Sequence, residues 1–228
     1  MGETRYDAVI FDVDGLIVDS EEIYCRTFNS VLVEHGVSLT REDYTVCVGH
    51  PVEENGEYAV KQYGLKITPE ALCSAWMDRF DAAISDPEQT ILMPGVLDLI
   101  AYLREKPYRL GIASSTLRPR MTTTLTNGLL SRLEDVSSLD EIFEAILSGS
   151  DVAQLKPDPE IYLKAAKALK VDPTKCVVLE DSEAGVRAGK AAGMTVIGVP
   201  NFFTGHQDHS MADYVVESLA EVVEKGLL

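Results

Sequence analysis

Short, β-rich apolar runs alternate along this chain with amphipathic stretches of helical period. The runs are residues 6–11 (YDAVIF), 109–113 (RLGIA), 176–179 (CVVL), 195–199 (TVIGV) and 214–216. Between them, residues 94–104, 159–169, 182–192 and 218–227 carry apolar side chains at three-to-four spacing. A strand that feeds a helix and then another strand of the same sheet returns as a parallel neighbour through a right-handed crossover. The expected class is therefore α/β, a parallel sheet with helices on both faces. Residues 20–93 break the alternation, with amphipathic segments at 21–35, 52–63 and 69–84 and no convincing strand. They read as an inserted helical cap domain between the core segments 1–19 and 94–228, emerging at the sheet edge where α/β folds bind ligands.

Length and composition permit that architecture. A chain of 228 residues with 46% hydrophobic and 25% charged side chains can bury one large core and is not disordered. Twenty Lys and Arg against 37 Asp and Glu give a net charge of −17, which repels nucleic-acid phosphates and anionic lipid heads. The expected partners thus exclude nucleic acid and membrane. A small phosphorylated ligand stays open, because a cation, a Lys and main-chain N–H groups can invert the potential inside one cleft. No apolar run approaches a membrane span and the first residues lack a signal-peptide layout, so a cytoplasmic location is expected. Cys25, Cys47, Cys73 and Cys176 form no C-x-x-C pair and read as reduced structural thiols.

The chemistry concentrates where strands end. In VIFDVDGLIVDS, residues 9–20, an apolar strand runs directly into Asp12 and Asp14 before Gly15. Alone, Asp-Gly is an ordinary turn dipeptide, and a calcium loop lacks its remaining ligands at their spacings. A second acidic pair, Glu180-Asp181, follows the run 176–179 and precedes Ser182, a natural helix N-cap. Parallel geometry would bring Asp12, Asp14 and Asp181 to one carboxyl edge, where hard oxygens suit Mg²⁺. The run 109–113 ends at Ser114-Ser115-Thr116, hydroxyls able to donate to phosphate, and Lys156 sits in a proline-constrained Lys156-Pro157-Asp158-Pro159 loop. Each element has a bland reading as a cap, a turn or a surface charge; their order is the specific signal.

In that order the elements resemble the haloacid dehalogenase superfamily. The DGLIVDS start and the EDSEAGVRAGKAAGM stretch look like its beta-phosphoglucomutase-like branch. The resemblance implies a Rossmann-like core with a helical cap and a Mg²⁺-dependent phosphatase acting on a small phosphorylated metabolite, a sugar or polyol phosphate. It implies Asp12 as the nucleophile that forms an aspartyl-phosphate, and Asp14 as the acid that protonates the leaving oxygen and then activates water. The implied metal set is Asp12, the Asp14 main-chain carbonyl and Asp181, with Glu180 beside them. Ser114, Ser115 and Lys156 would hold the phosphate. Asp14 also favours phosphoryl transfer over dehalogenation, which has no oxyanion leaving group to protonate.

Departures lie in the cap. Beta-phosphoglucomutases carry a His where this chain has Tyr24, and a basic residue shortly after a cap glycine, whereas Gly49 is followed by His50, Pro51 and Val52. Tyr24, Gly49 and His50 are the candidate cap contacts, and the substitutions favour hydrolysis over a hexose-phosphate mutase, which would need a bisphosphate activator. A non-catalytic phospholigand-binding protein is the alternative from another class. Leu155 replaces the family's Gly before Lys-Pro, and residues 131–138 are longer than usual. The oligomeric state is not legible.

Overall fold

In the computed structural model, which describes residues 5–228, six parallel strands form one sheet in the order β3-β2-β1-β4-β5-β6. They are β1 (Ala8–Phe11), β2 (Arg109–Ala113), β3 (Ala145–Leu147), β4 (Cys176–Glu180), β5 (Thr195–Gly198) and β6 (Tyr214–Val215). The helices flanking the sheet are α5 (Val96–Arg104), α6 (Arg118–Gly128), α7 (Glu160–Leu169), α8 (Glu183–Ala191) and α9 (Leu219–Glu224). Burial on both faces explains why β1 and β4 read as unbroken apolar runs: all four residues of β1 and all five of β4 are buried. Register places Phe11 opposite both Ile112 and Leu179, so the residues that follow each strand emerge side by side.

The sequence pattern does not show β3. Its three residues are too few to carry a period, and the pairing of Ala145–Leu147 with β2 supplies what local pattern does not. The first strand is also shorter than the run 6–11, beginning at Ala8.

Residues 20–84 are helical, with α1 (Ser20–Glu34), the short α2 (Arg41–Tyr44), α3 (Val52–Tyr63) and α4 (Pro69–Ile84). Local chemistry sets the bounds. The Asp19 side chain accepts from Glu22 N at 3.2 Å to start α1, Thr68 caps α4 ahead of Pro69, and Gly64 at φ +61° stops α3. These helices have their own core, in which Phe28 stacks on Trp76 with ring centroids 4.2 Å apart.

The two connections between these helices and the sheet run together. Asp19 N donates to Ile91 O and Met93 N to Ile17 O, both at 2.9 Å, across an antiparallel bridge between Val18 and Leu92. The long segment 131–138 has a structural part here. Arg132 donates to Thr90 O at 2.7 Å and Pro87 O at 2.8 Å, and Arg104 grips Asp135 with two hydrogen bonds. Among the described residues no helix is long and apolar enough to cross a membrane.

Candidate active site

Asp12 directly follows β1 and is held there by its own N–H donating to Leu179 O at 3.1 Å. Glu180 ends β4, and Asp181 begins the turn into α8. One carboxylate oxygen from each of Asp12, Glu180 and Asp181 lies within 4.8 Å of the others, and all three residues are buried. Lys156 reaches this cluster from the loop before α7. Its ammonium donates to Asp12 Oδ1 and, at 2.6 Å, to Glu180 Oε1.

Glu180 is the most fully occupied of the three. Tyr162 OH donates to Oε1 at 2.7 Å, and Ser182 N and Oγ donate to Oε2 at 3.2 and 3.0 Å. Burial alone would push its carboxyl up, but Lys156 and these hydrogen bonds together hold it below the ordinary range. Its side chain therefore fixes Lys156 as well as adding charge to the cluster. Gly185 makes room for it, since a Cβ there would fall 1.7 Å from Glu180 Oε1.

The other two carboxyls move the opposite way. Burial, opposed by Lys156 and reinforced by Glu180 and Asp14, lifts Asp12 to about 8. Burial and the neighbouring Glu180 and Asp12 raise Asp181 well above the usual carboxylate range. Three buried carboxyls thus share one ammonium, and full ionisation requires more positive charge than the protein supplies. A small divalent cation with hard oxygen ligands fits that deficit.

Asp14 is held differently. Its Oδ2 accepts from Thr116 Oγ1 at 2.8 Å and Ser114 Oγ at 3.2 Å, and Thr116 N donates to Ser114 Oγ at 3.0 Å. Ser114 is fully buried, with its N–H on Leu147 O of β3. Ser115 and Thr116 line a cleft of about 390 Å³ that runs to the helices of residues 20–84. Tyr24, Gly49 and His50 line the same cleft, as do Glu21, Tyr44 and Trp76. Tyr24 stacks on Phe80 at 3.8 Å between centroids, while His50 is exposed and turns Nδ1 to Glu54 at 3.4 Å.

Four residues have parts here that sequence reasoning does not assign. Thr116 is one hydroxyl among three in the sequence, and the fold places it on Asp14. Asn201, in the loop after β5, donates to both Asp181 Oδ2 and Gly15 O at 3.0 Å, and its own Oδ1 accepts from Phe203 N and Thr204 N. Gly15, at φ +77°, tolerates no side chain, because a Cβ would lie 2.2 Å from Asp181 Oδ2. Glu21 reads as a first-turn acid of α1, yet it faces the cleft.

Comparison with known proteins gives a consistent family. Residues 9–199 match the model of the haloacid dehalogenase-like hydrolases. Protein CbbY of Cereibacter sphaeroides is 34% identical over 224 residues, covering 95% of this chain and 94% of its own. Hexitol phosphatase B of Escherichia coli K12 is 33% identical over 227 residues, covering 97% and 96%. The crystal structure of a mutant of CbbY from Rhodobacter sphaeroides in complex with xylulose-(1,5)bisphosphate superposes with a TM-score of 0.75 at 31% identity, covering 95% and 96% of the two chains.

Proposed function

From the premise that this chain belongs to the haloacid dehalogenase-like hydrolases, in their beta-phosphoglucomutase-like branch, we propose that it is a metal-dependent phosphatase of a small sugar or polyol phosphate. The observation that carries this reading is the pairing, on one sheet edge, of a buried carboxylate cluster crossed by Lys156 with a separate carboxyl, Asp14, held by hydroxyls. A relative named as a hexitol phosphatase and one crystallised with a sugar bisphosphate support a phosphorylated sugar or polyol as the substrate class.

An oxygen of Asp12 attacks phosphorus as the bond to the leaving oxygen breaks, and Asp14 gives that oxygen its proton. Asp14 then takes a proton from water, whose oxygen attacks phosphorus and returns Asp12 as a carboxylate. Lys156 and Ser114 offset charge on the transferred group, with Ser115 adding a hydroxyl at the cleft floor. Asp12, Asp181 and Glu180, together with the Asp14 main-chain carbonyl, would hold Mg²⁺, which supplies charge neutralisation to the phosphoryl oxygens. The cap, residues 20–93, closes the cleft against bulk water and leaves core segments 1–19 and 94–228 to carry the chemistry.

The test is phosphate release from a panel of sugar, polyol and glycolate phosphates with Mg²⁺ and with EDTA, alongside NMR of a glucose 1-phosphate reaction. Metal-dependent release is expected, falling on the order of 10³-fold or more in Asp12→Asn while circular dichroism stays unchanged. Isomer conversion without release would replace the phosphatase by a mutase. Near-normal hydrolysis by Asp12→Asn would remove the covalent mechanism.

A further inference from the structure

Thr116 both holds Asp14 and lines the cleft that runs toward Glu21, Tyr24 and His50. On the phosphatase reading, the group that leaves phosphorus at Asp14 extends into that cleft, and the cleft's charge acts on the substrate's far end. Among the described residues that line it, none is Lys or Arg. The cations nearby are committed elsewhere: Lys156 to Asp12 and Glu180, Arg41 to Glu22 at 2.7 Å, and Arg120 to Asp81 at 2.7 Å. His50 stands exposed and is shared with Glu54. The charged group recessed in the cleft is Glu21.

Glu21 has acceptor capacity to spare. A carboxylate offers about four lone-pair sites. One long hydrogen bond, from Tyr44 OH at 3.4 Å to Oε2, is the hydrogen bond its carboxylate accepts among the described residues. The walls around it are aromatic, with Tyr24 and Tyr44 edge-on to Trp76 at 5.9 and 6.4 Å between centroids. An acceptor-only carboxylate between aromatic faces suits a chain of hydroxyls and C–H groups, with the hydroxyls donating to the carboxylate and the carbon skeleton packing on the rings. The same carboxylate repels a second phosphate, for which the described lining residues offer no Lys or Arg and a His50 already turned to Glu54.

We propose that Glu21 is a specificity-determining residue that selects a monophosphate with an uncharged, hydroxylated tail and rejects a bisphosphate. This inference rests on the phosphatase reading above and deepens it. It sets two demands on one residue: attraction for hydroxyls and repulsion of a distal phosphate. Burial lifts the Glu21 carboxyl to about 7, with the nearby Asp14 adding to the effect, so a further negative charge in this space is already disfavoured before substrate arrives.

The experiment measures kcat/KM for phosphate release from glucose 6-phosphate, fructose 6-phosphate and sorbitol 6-phosphate against fructose 1,6-bisphosphate, in the wild type, Glu21→Gln and Glu21→Lys. The wild type should prefer its best monophosphate over the bisphosphate by on the order of 100-fold. Glu21→Gln, which keeps the shape, should narrow that ratio about tenfold or more. Glu21→Lys should raise activity on the bisphosphate above the wild type's, a gain that misfolding cannot produce. A wild type that hydrolyses the bisphosphate as well as the monophosphates, or a ratio unmoved by either substitution, overturns the role of Glu21 while leaving the phosphatase standing. Absence of phosphate release from every substrate, including those of the broader panel, overturns both.

Discussion

Asp14 is set apart from the other acidic residues of the site by what holds it. Asp12 and Glu180 are pinned by an ammonium, whereas the Asp14 carboxyl rests on the hydroxyls of Thr116 and Ser114. Hydroxyl donors rotate, and they neither neutralise a carboxylate nor trap it as an ion pair. A carboxyl held in this way keeps its place whether or not it carries a proton, which is what the acid-then-base role proposed above requires. Asp14→Asn should therefore lower kcat for a sugar phosphate by about 10²–10⁴-fold, since an alkoxide leaves poorly without a proton. An aryl phosphate, whose leaving group needs no protonation, should lose less than about tenfold. Equal losses on the two substrates in steady-state assays would show that Asp14 does something other than protonate the leaving oxygen.

At the level of elements, the site is a set of strand ends brought together by register. Asp12 and Asp181 are legible in the sequence because β1 and β4 are buried on both faces and announce themselves as apolar runs that stop at acids. Lys156 is legible through the prolines beside it. Thr116 is legible only as one of three hydroxyls after β2, because which of them meets Asp14 is set by how the turns after β1 and β2 lie side by side. Asn201 is not legible: an Asn in a loop reads as a turn residue, and its link to Asp181 spans 20 positions in the chain and a strand crossover. The ends of α1, α3 and α4 follow from local capping, while which of their side chains face the cleft depends on how the helices pack, as Glu21 shows. Asn201 ties the loop after β5 to both Asp181 and the turn at Gly15, so it orients the carboxylate proposed above as a Mg²⁺ ligand. Asn201→Ala should raise the Mg²⁺ concentration for half-maximal activity by about 10–100-fold, with kcat at saturating Mg²⁺ changed far less. A drop in melting temperature with an unshifted Mg²⁺ titration would reduce Asn201 to a loop brace.

For the molecule as a whole, the net charge of −17 and the buried acids both bear on how stability varies with pH, and one substitution separates them. Burial first, and then Asp14, raise Glu21 from an ordinary value of 4.5 to about 7 in the folded state. A raised acid means that the fold favours the protonated form. Its contribution is complete below about 4.5 and is lost as pH climbs through about 7. Surface repulsion also changes with pH, but it acts almost equally on the wild type and on Glu21→Gln, which mimics the protonated side chain and keeps an acceptor for Tyr44. The difference between the two melting curves should therefore be near zero at about pH 4.5 and grow in favour of Glu21→Gln up to about pH 8. Discounted for the partial exposure of this side chain, the limiting gain is about 1–2 kcal/mol, a few degrees in melting temperature for a chain of this length. Measured by thermal unfolding in EDTA from about pH 4.5 to about 8.5, a constant offset would mean that Glu21 ionises in the fold as it does in the unfolded chain and is charged across the neutral range. The same carboxylate would then meet substrate hydroxyls as a full charge at every working pH, and the selectivity assigned to it should show no pH dependence in that range.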